Sequence, residues 1–326
     1  MAIPFILAGA ALLAGGVGIK KGLDAKEDFE RAERIGKRAK RNHEEAVESL
    51  ENEREQTNEA LQELGRLKVA IFSDQIKYLV DEIKKRQRSG SKISGFDQIV
   101  EELNLPQMEK MVLGSLDIEK GLASGVSSGA LMGLGAYGSV GMLASASTGT
   151  AIASLSGAAA TNATLAWLGG GSLAAGGFGM AGGMAVLGGL VAGPAIAITG
   201  FVMASKAEEA LTKARAYESN VDQAIEKIET MKVVLQGLQV NCVEMRTTLK
   251  EIVKHFNNCK VLTENGEKGS FTKLMVLGKT LKAILDTPIM ENNGENTKDL
   301  KSKLKSIVRI SSSGYLDYGD QTIVTK

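Results

Sequence analysis

The sequence predicts an all-α protein: long antiparallel coiled-coil helices flank a Gly/Ala-rich apolar helical hairpin, and a small helical region follows at the C-terminus. Three observations carry that expectation. From Ala207 to Phe256, apolar residues recur at alternating steps of three and four without a miss, which is a sustained heptad seam. From Leu23 to Arg88 the chain is rich in Lys, Glu, Arg, Ala, Leu and Gln and contains no proline, the composition of a long helix. Between Lys120 and Lys206 there is no Asp, Glu, Lys, Arg or His at all. The averages conceal this pattern. Charged residues are 24%, hydrophobic residues 44% and the net charge +1, all ordinary for a globular protein, yet the chain is a block copolymer.

Residues 1–22 form the first block. Met1 to Ile19 is apolar up to Lys20-Lys21, and Ala10, Ala14, Gly18 and Gly22 step by four. Its length just reaches that of a bilayer span, and the two lysines would keep the downstream side in the cytoplasm. A helix buried against the bundle fits the same residues. A secretory signal is disfavoured, because there is no basic segment before the apolar run and no clear cleavage site.

Residues 23–120 are the second block, a long amphipathic helix and a connector. Its apolar stripe is weak at Phe29, Ala32, Ala39, Ala46 and Leu50, then strengthens at Leu61, Leu64, Ile71, Phe72, Ile76, Leu79 and Ile83. The sequence RSGSKISG stops it, and one or two short helices are expected around Pro106.

The uncharged block, 121–205, is several times longer than one membrane span of about 20 residues. Gly121, Gly125, Gly129 and Gly133 lie at intervals of four, as do Ala181, Ala185, Gly189, Gly193 and Ala197. Each Gly in a helix interior costs about 1 kcal/mol relative to Ala, so a row of them implies that the missing side chains are used. An i, i+4 row lies on one helix face, and such a groove lets helices pack closely in lipid. The block is rich in small residues and only modestly hydrophobic, so it is poised between burial in the bundle and insertion. Gly177 to Gly182 formally matches GxGxxG, but without a flanking charged residue or a nearby acid it reads as zipper glycine rather than a dinucleotide fingerprint.

Residues 206–256 carry the coiled-coil seam, and residues 257–326 a basic helical region with a polar tail that ends in a short strand. Within it TKDLKSKLKSIVRI places Lys298, Lys301, Lys303, Lys305 and Arg309 opposite Leu300, Leu304, Ile307 and Val308. That arrangement suits an anionic membrane surface and equally a helix docked on the bundle with its lysines outward.

The chemistry of sites is thin. The two histidines, His43 and His255, stand apart on long charged helices and read as solvated surface, so no metal cluster and no catalytic acid or base is expected. Cys242 sits in the seam as a small hydrophobe, and Cys259, near the expected helix end, is the better placed of the two for reactivity. Two cysteines make no disulfide framework and fit a reducing cytoplasm. The charge balance and the scarcity of aromatics argue against nucleic acid.

The order long coiled helix, glycine-rich apolar segment, long coiled helix, over about residues 20–256, resembles the α-helical pore-forming proteins of the cytolysin A type and, more loosely, apolipoprotein L-like proteins. The resemblance implies a soluble form that shelters an apolar hairpin and a rearranged form that oligomerises in membrane. The chain departs from it in its apolar N-terminus and its longer small-residue block. The expectation is therefore a non-enzymatic, membrane-active protein with no cofactor, possessing glycine-zipper helices that insert and oligomerise, a toxin or defence effector. Its partners would be a lipid bilayer and further copies of itself, and it would be cytoplasmic with membrane association or integral to the membrane. The alternative is a membrane-associated coiled-coil scaffold that recruits protein partners without forming a pore.

Overall fold

The computed structural model describes residues 16–89, 96–123, 128–138, 207–290 and 296–316. Among them the fold is all-α, and apart from one isolated bridge between Met290 and Asn296 there is no strand. Helix α1 runs Gly16–Ile71, passes through a π turn at Phe72–Ile76 and continues as α2, Lys77–Arg88. Then come α3 (Phe96–Leu103), α4 (Leu105–Ala123) and α5 (Ser128–Tyr137), followed by α6 (Ala207–Glu264), α7 (Ser270–Asp286) and α8 (Leu300–Leu316). The expected strand in the tail lies outside the described residues, while α8 itself continues six residues past the helix predicted to end at residue 310.

The chain divides into two compact units, residues 1–51 with 190–230 (unit 1) and residues 52–189 with 231–326 (unit 2). Both long helices contribute to both units, so the division cuts across the blocks read from the sequence.

In unit 1, α1 and α6 meet along small residues. Ala32 packs with Ala210 and Ala214, and Ala39 with Tyr217 and Val221. The solvent side is laced with i, i+4 ion pairs, among them Lys37–Glu33, Lys40–Glu44, Arg41–Glu45 and Lys213–Glu209. Phe29, expected in the stripe, is 42% exposed, whereas Ala32, Ala39, Ala46 and Leu50 are buried.

Unit 2 holds the large core. Leu61, Leu64, Phe72, Ile76, Leu79 and Ile83 face Leu238, Cys242, Met245, Leu249 and Phe256, and α3, α4, α5, α7 and α8 close over them. The seam read from the sequence is buried at every position from Leu235 to Phe256, and it extends to Cys259 and Thr263 because α6 continues to Glu264. Gly266 and Gly269, at φ 76° and 81°, make the left-handed turn that ends α6 and starts α7. The connector around Pro106 is two helices, broken at Asn104, whose φ of 50° ends α3 and whose side chain accepts from the Gln107 amide. Pro106 then stands in the first turn of α4, where its missing N–H costs nothing.

One expectation is corrected. The long helices pair in parallel, not antiparallel. In unit 2, Glu53 accepts from Gln236 and Gln239, Glu63 pairs with Arg246, and Asp74 with Lys260; partners rise together along both helices. In unit 1, the sequence Ala32 to Ala39 against Ala210 to Val221 runs the same way. A heptad seam has the same period in either direction, so periodicity does not encode orientation. The antiparallel expectation rested on treating the uncharged block as a hairpin tip. The part of that block that is described, 121–123 and 128–138, lies in α4 and α5.

Candidate functional site

The site that the fold singles out lies where the uncharged block begins. Helix α5, the first helix wholly inside that block, buries Leu131, Leu134 and Ala136 in the unit 2 core. It approaches α1 through glycine on both sides. A Cβ at Gly65 would stand 2.2 Å from the Leu131 carbonyl oxygen, and one at Gly135 would stand 2.4 Å from that of Leu61. Neither position accepts a side chain, so backbone packs directly on backbone.

A helix C-terminus leaves its last four carbonyls without intrahelical partners. Here a lysine supplies part of what is missing. The Lys68 side chain is fully buried, and its Nζ donates to the carbonyl oxygens of Leu134 and Gly135, each at 3.2 Å. The amides of Ile289 and Met290 donate to the carbonyl of Ala136 at 2.8 and 3.2 Å, and the Gly138 amide donates to Leu134. Gly138, at φ 65°, turns the chain away beside the backbone of Leu285 and Asp286. The end of α5 is thus clamped by α1 on one side and by the segment after α7 on the other. A positive charge at a helix C-terminus is also favoured by the aligned peptide dipoles.

Burial pushes the Lys68 ammonium from 10.5 down to about 7, with Cys242 and Asp286 pulling it back up. Burial in turn pushes the Cys242 thiol to about 12. The thiol is therefore neutral at pH 7, and Asp286, itself bonded to Lys282 at 2.7 Å, is the charge that opposes the desolvation. Near neutral pH this lysine holds its proton only marginally, in a place where a charge without partners would cost several kcal/mol.

The residues expected to act in membrane are distributed as follows. Gly121 is in the last turn of α4 and Gly129 and Gly133 are in α5, so the row is divided between two helices, and Gly125 lies outside the described residues. A Cβ at Gly133 would meet no atom within 4 Å; the close approaches are made by Gly65 and Gly135, which do not belong to that row. Ala181, Ala185, Gly189 and Gly193 lie outside the described residues. Of the basic set, Lys298 stands just before α8, while Lys301, Lys303, Lys305 and Arg309 are in it, all exposed, with Lys301 bonded to Glu244 at 2.9 Å. Leu300 and Leu304 on the same helix are buried in the unit 2 core, so its apolar face is occupied by the bundle.

Cys259 is buried and its thiol is raised by burial, which leaves it protonated and poorly nucleophilic. His255 is exposed, but His43 is half-buried and its Nε2 has no partner among the described residues. No cluster of three metal-ligating side chains occurs among the described residues, and no described helix is long and apolar enough to cross a membrane. The chain matches no family model, no curated protein and no solved structure.

Lys68 was legible in outline, and Gly65 was not. Lys68 falls on the apolar stripe, four after Leu64 and four before Phe72, and a lysine on a buried stripe is rare unless its charge is used.

Proposed function

We propose that this chain is a non-enzymatic, conditionally membrane-active helical protein, in which unit 2 shelters the beginning of the uncharged block until the clamp on α5 opens. The observation that supports this reading is the contrast at α5. A helix from a charge-free segment is held in the core by one buried lysine, two glycine contacts and two amides. None of these contacts is covalent, and one of them is made by a lysine whose ammonium burial pushes down to about 7. Released, the block exposes apolar surface with no charge to keep it in water, and lipid is its natural destination. In membrane the glycine rows would then drive association with further copies. The trigger and the target membrane are left open by this reading.

The test is a pair of variants. Gly65→Val places branched atoms against the Leu131 backbone and should expel α5, raising flotation with liposomes and dye leakage. Gly133→Ala fills open space and should behave as the parent. Equal lipid binding by parent and both variants, with helix content preserved in circular dichroism, would refute the sheltering role.

A scaffold reading draws on a different feature. Val233, Val240 and Val243 on α6 are 67%, 60% and 58% exposed and share one face, a seam that another helix would fit. If Val240→Lys abolishes self-association or partner binding in sedimentation while leakage persists, the two activities are separate.

A further inference from the structure

We infer that unit 1 carries an anion site, a groove between α1 and α6 that takes a phosphate-bearing ligand. The groove has a volume of about 660 Å³ and is lined by Arg31, Arg34, Ile35, Arg38, Arg215 and Glu218. Four guanidiniums thus face one carboxylate.

The charge pattern around it is the first argument. Elsewhere in unit 1 many basic residues pair with an acid one helical turn away, as in Lys26–Glu30, Lys37–Glu33, Lys40–Glu44, Arg41–Glu45 and Lys213–Glu209. In the groove Arg34 reaches Glu30 at 3.8 Å and Arg38 bonds Glu218 across the seam. Among the described residues no carboxylate pairs with Arg31 or Arg215. Glu27 and Asp28 lie one turn before Arg31 without an ion pair to it among the described residues, and Arg34 and Arg38 stand four apart as a like-charge pair, which destabilises a helix. Two of the four arginines, Arg31 and Arg215, are thus left without a carboxylate beside two that have one each, and an external anion would supply the missing counter-charge.

The second argument is residue type. All four cations are arginines, although lysine is used freely on the same helices. Arginine presents a planar fork of donors that matches phosphate oxygens two at a time, whereas lysine offers a point charge. The third is assembly from two helices. Arg31, Arg34 and Arg38 share a face of α1 at spacings of three and four, and Arg215 comes from α6, so the groove exists only when the parallel pair is formed. Because the pair is parallel, its N-terminal end is also where the apolar sequences 1–19 and 121–205 join α1 and α6. Phosphate on a lipid headgroup is one source that this position favours; a soluble phosphate compound is the other. The site is separate from the clamp on α5 and does not depend on its opening.

The experiment uses the full chain and two probes. Inorganic pyrophosphate is titrated by calorimetry at low and moderate salt, and flotation is compared on vesicles of phosphatidylcholine alone and of phosphatidylcholine containing phosphatidic acid. The variants are Arg31→Gln/Arg34→Gln/Arg215→Gln, its all-Lys counterpart, and a control, Lys40→Gln/Arg41→Gln, on the same helix outside the groove. The parent should bind at least one probe, more weakly as salt rises. The Gln triple should lose at least tenfold in affinity, the Lys triple should lose less than the Gln triple, and the control should match the parent. Binding of both probes assigns the phosphate group itself, and binding of the vesicles alone assigns the lipid headgroup. Equal binding by parent and Gln triple, equal loss in the control, or no binding of either probe by the parent overturns the proposal. Circular dichroism confirms that the triple variants keep their helices, since the arginines replaced lie on the solvent side.

Discussion

Units 1 and 2 are built on the same two helices, yet the amount of large apolar side chain buried between those helices differs sharply. In unit 1 the buried contact is mostly alanine, with Leu50, Tyr217, Val221 and Ile228 as its large buried side chains, and far fewer of these leave water than in unit 2. In unit 2 the contact is leucine, isoleucine, methionine and phenylalanine, closed over by five further helices. Apolar burial contributes roughly 25 cal/mol per Å², so the second arrangement is far the more stabilising. The ion pairs that decorate unit 1 do not make up the difference, because exposed pairs contribute about 0–1 kcal/mol each. Proteins open first where buried contacts are few. The comparison teaches that unit 2 is the anchor and unit 1 the part that yields, and that the clamp ties the uncharged block to the anchor.

The largest way to break this contrast is to charge the unit 2 seam. Leu235 and Leu238 are each 1% exposed, and a double change to Lys strands two charges in the core, at a cost of several kcal/mol for each. Unit 2 should lose cooperative unfolding, and the protein should move from the soluble to the lipid-bound or aggregated fraction. A variant that stays soluble, cooperative and indifferent to liposomes would mean that the seam restrains nothing.

Truncations sharpen the same contrast more gently. Leu249→Ala in unit 2 should cost about 2–5 kcal/mol. Val221→Ala in unit 1 should cost about 1–2 kcal/mol, since a thinner interface loses less. Site-resolved hydrogen exchange should show the first variant lowering protection throughout unit 2 and the second lowering it only within unit 1. Uniform loss from both would show a single cooperative body.

Lys68 predicts a pH dependence confined to unit 2. The native pKa is depressed to about 7 from 10.5, so between those values the unfolded chain binds more protons than the native one, and stability rises with pH. Below pH 7 both states are protonated and the slope vanishes. The thiol of Cys242 acts with the opposite sign, because its native pKa is raised from 9.0 to about 12 and stability falls as the unfolded thiol ionises above pH 9. The clean window is therefore pH 7–9, where the gain should be about 2 kcal/mol. Urea melts across that window should show it in the parent and not in Lys68→Met.

The smallest effect is expected in α8. Changing Lys301, Lys303 and Lys305 to Glu should leave the urea midpoint almost unmoved, because Leu300 and Leu304 hold the helix to the core. It should reduce binding to anionic vesicles only to the extent that these lysines meet the surface while docked. Flotation at two salt concentrations measures this, and undocking of α8, seen as rapid exchange in residues 300–308, would contradict it.

Much of this architecture was legible in the sequence. The seam from Leu235 to Phe256 is buried at every position because a three-four repeat on a long helix leaves one face to cover. The stripe from Leu61 to Ile83 follows for the same reason, and Phe29 fails because the alanine interface of unit 1 is too thin to bury a phenyl ring. Helix direction was not legible, since periodicity carries no polarity. The clamp was half legible. Lys68 stands on the stripe in plain view, but its partners are backbone carbonyls some sixty-six residues away, and no side-chain pattern marks a carbonyl. Gly65 and Gly135 were hidden for a related reason: each answers a single backbone contact, whereas the eye is drawn to rows such as Gly121 to Gly133.

The central claim is that α5 leaves the core when the protein enters lipid, and the amides of Ile289 and Met290 report on it most directly. Both donate to the Ala136 carbonyl and lose that acceptor if α5 departs. Hydrogen exchange at these two amides should be slow in solution and should accelerate when liposomes that bind the protein are added. Slow exchange at both amides on fully liposome-bound protein would contradict the claim, because α5 would then still be clamped in the core.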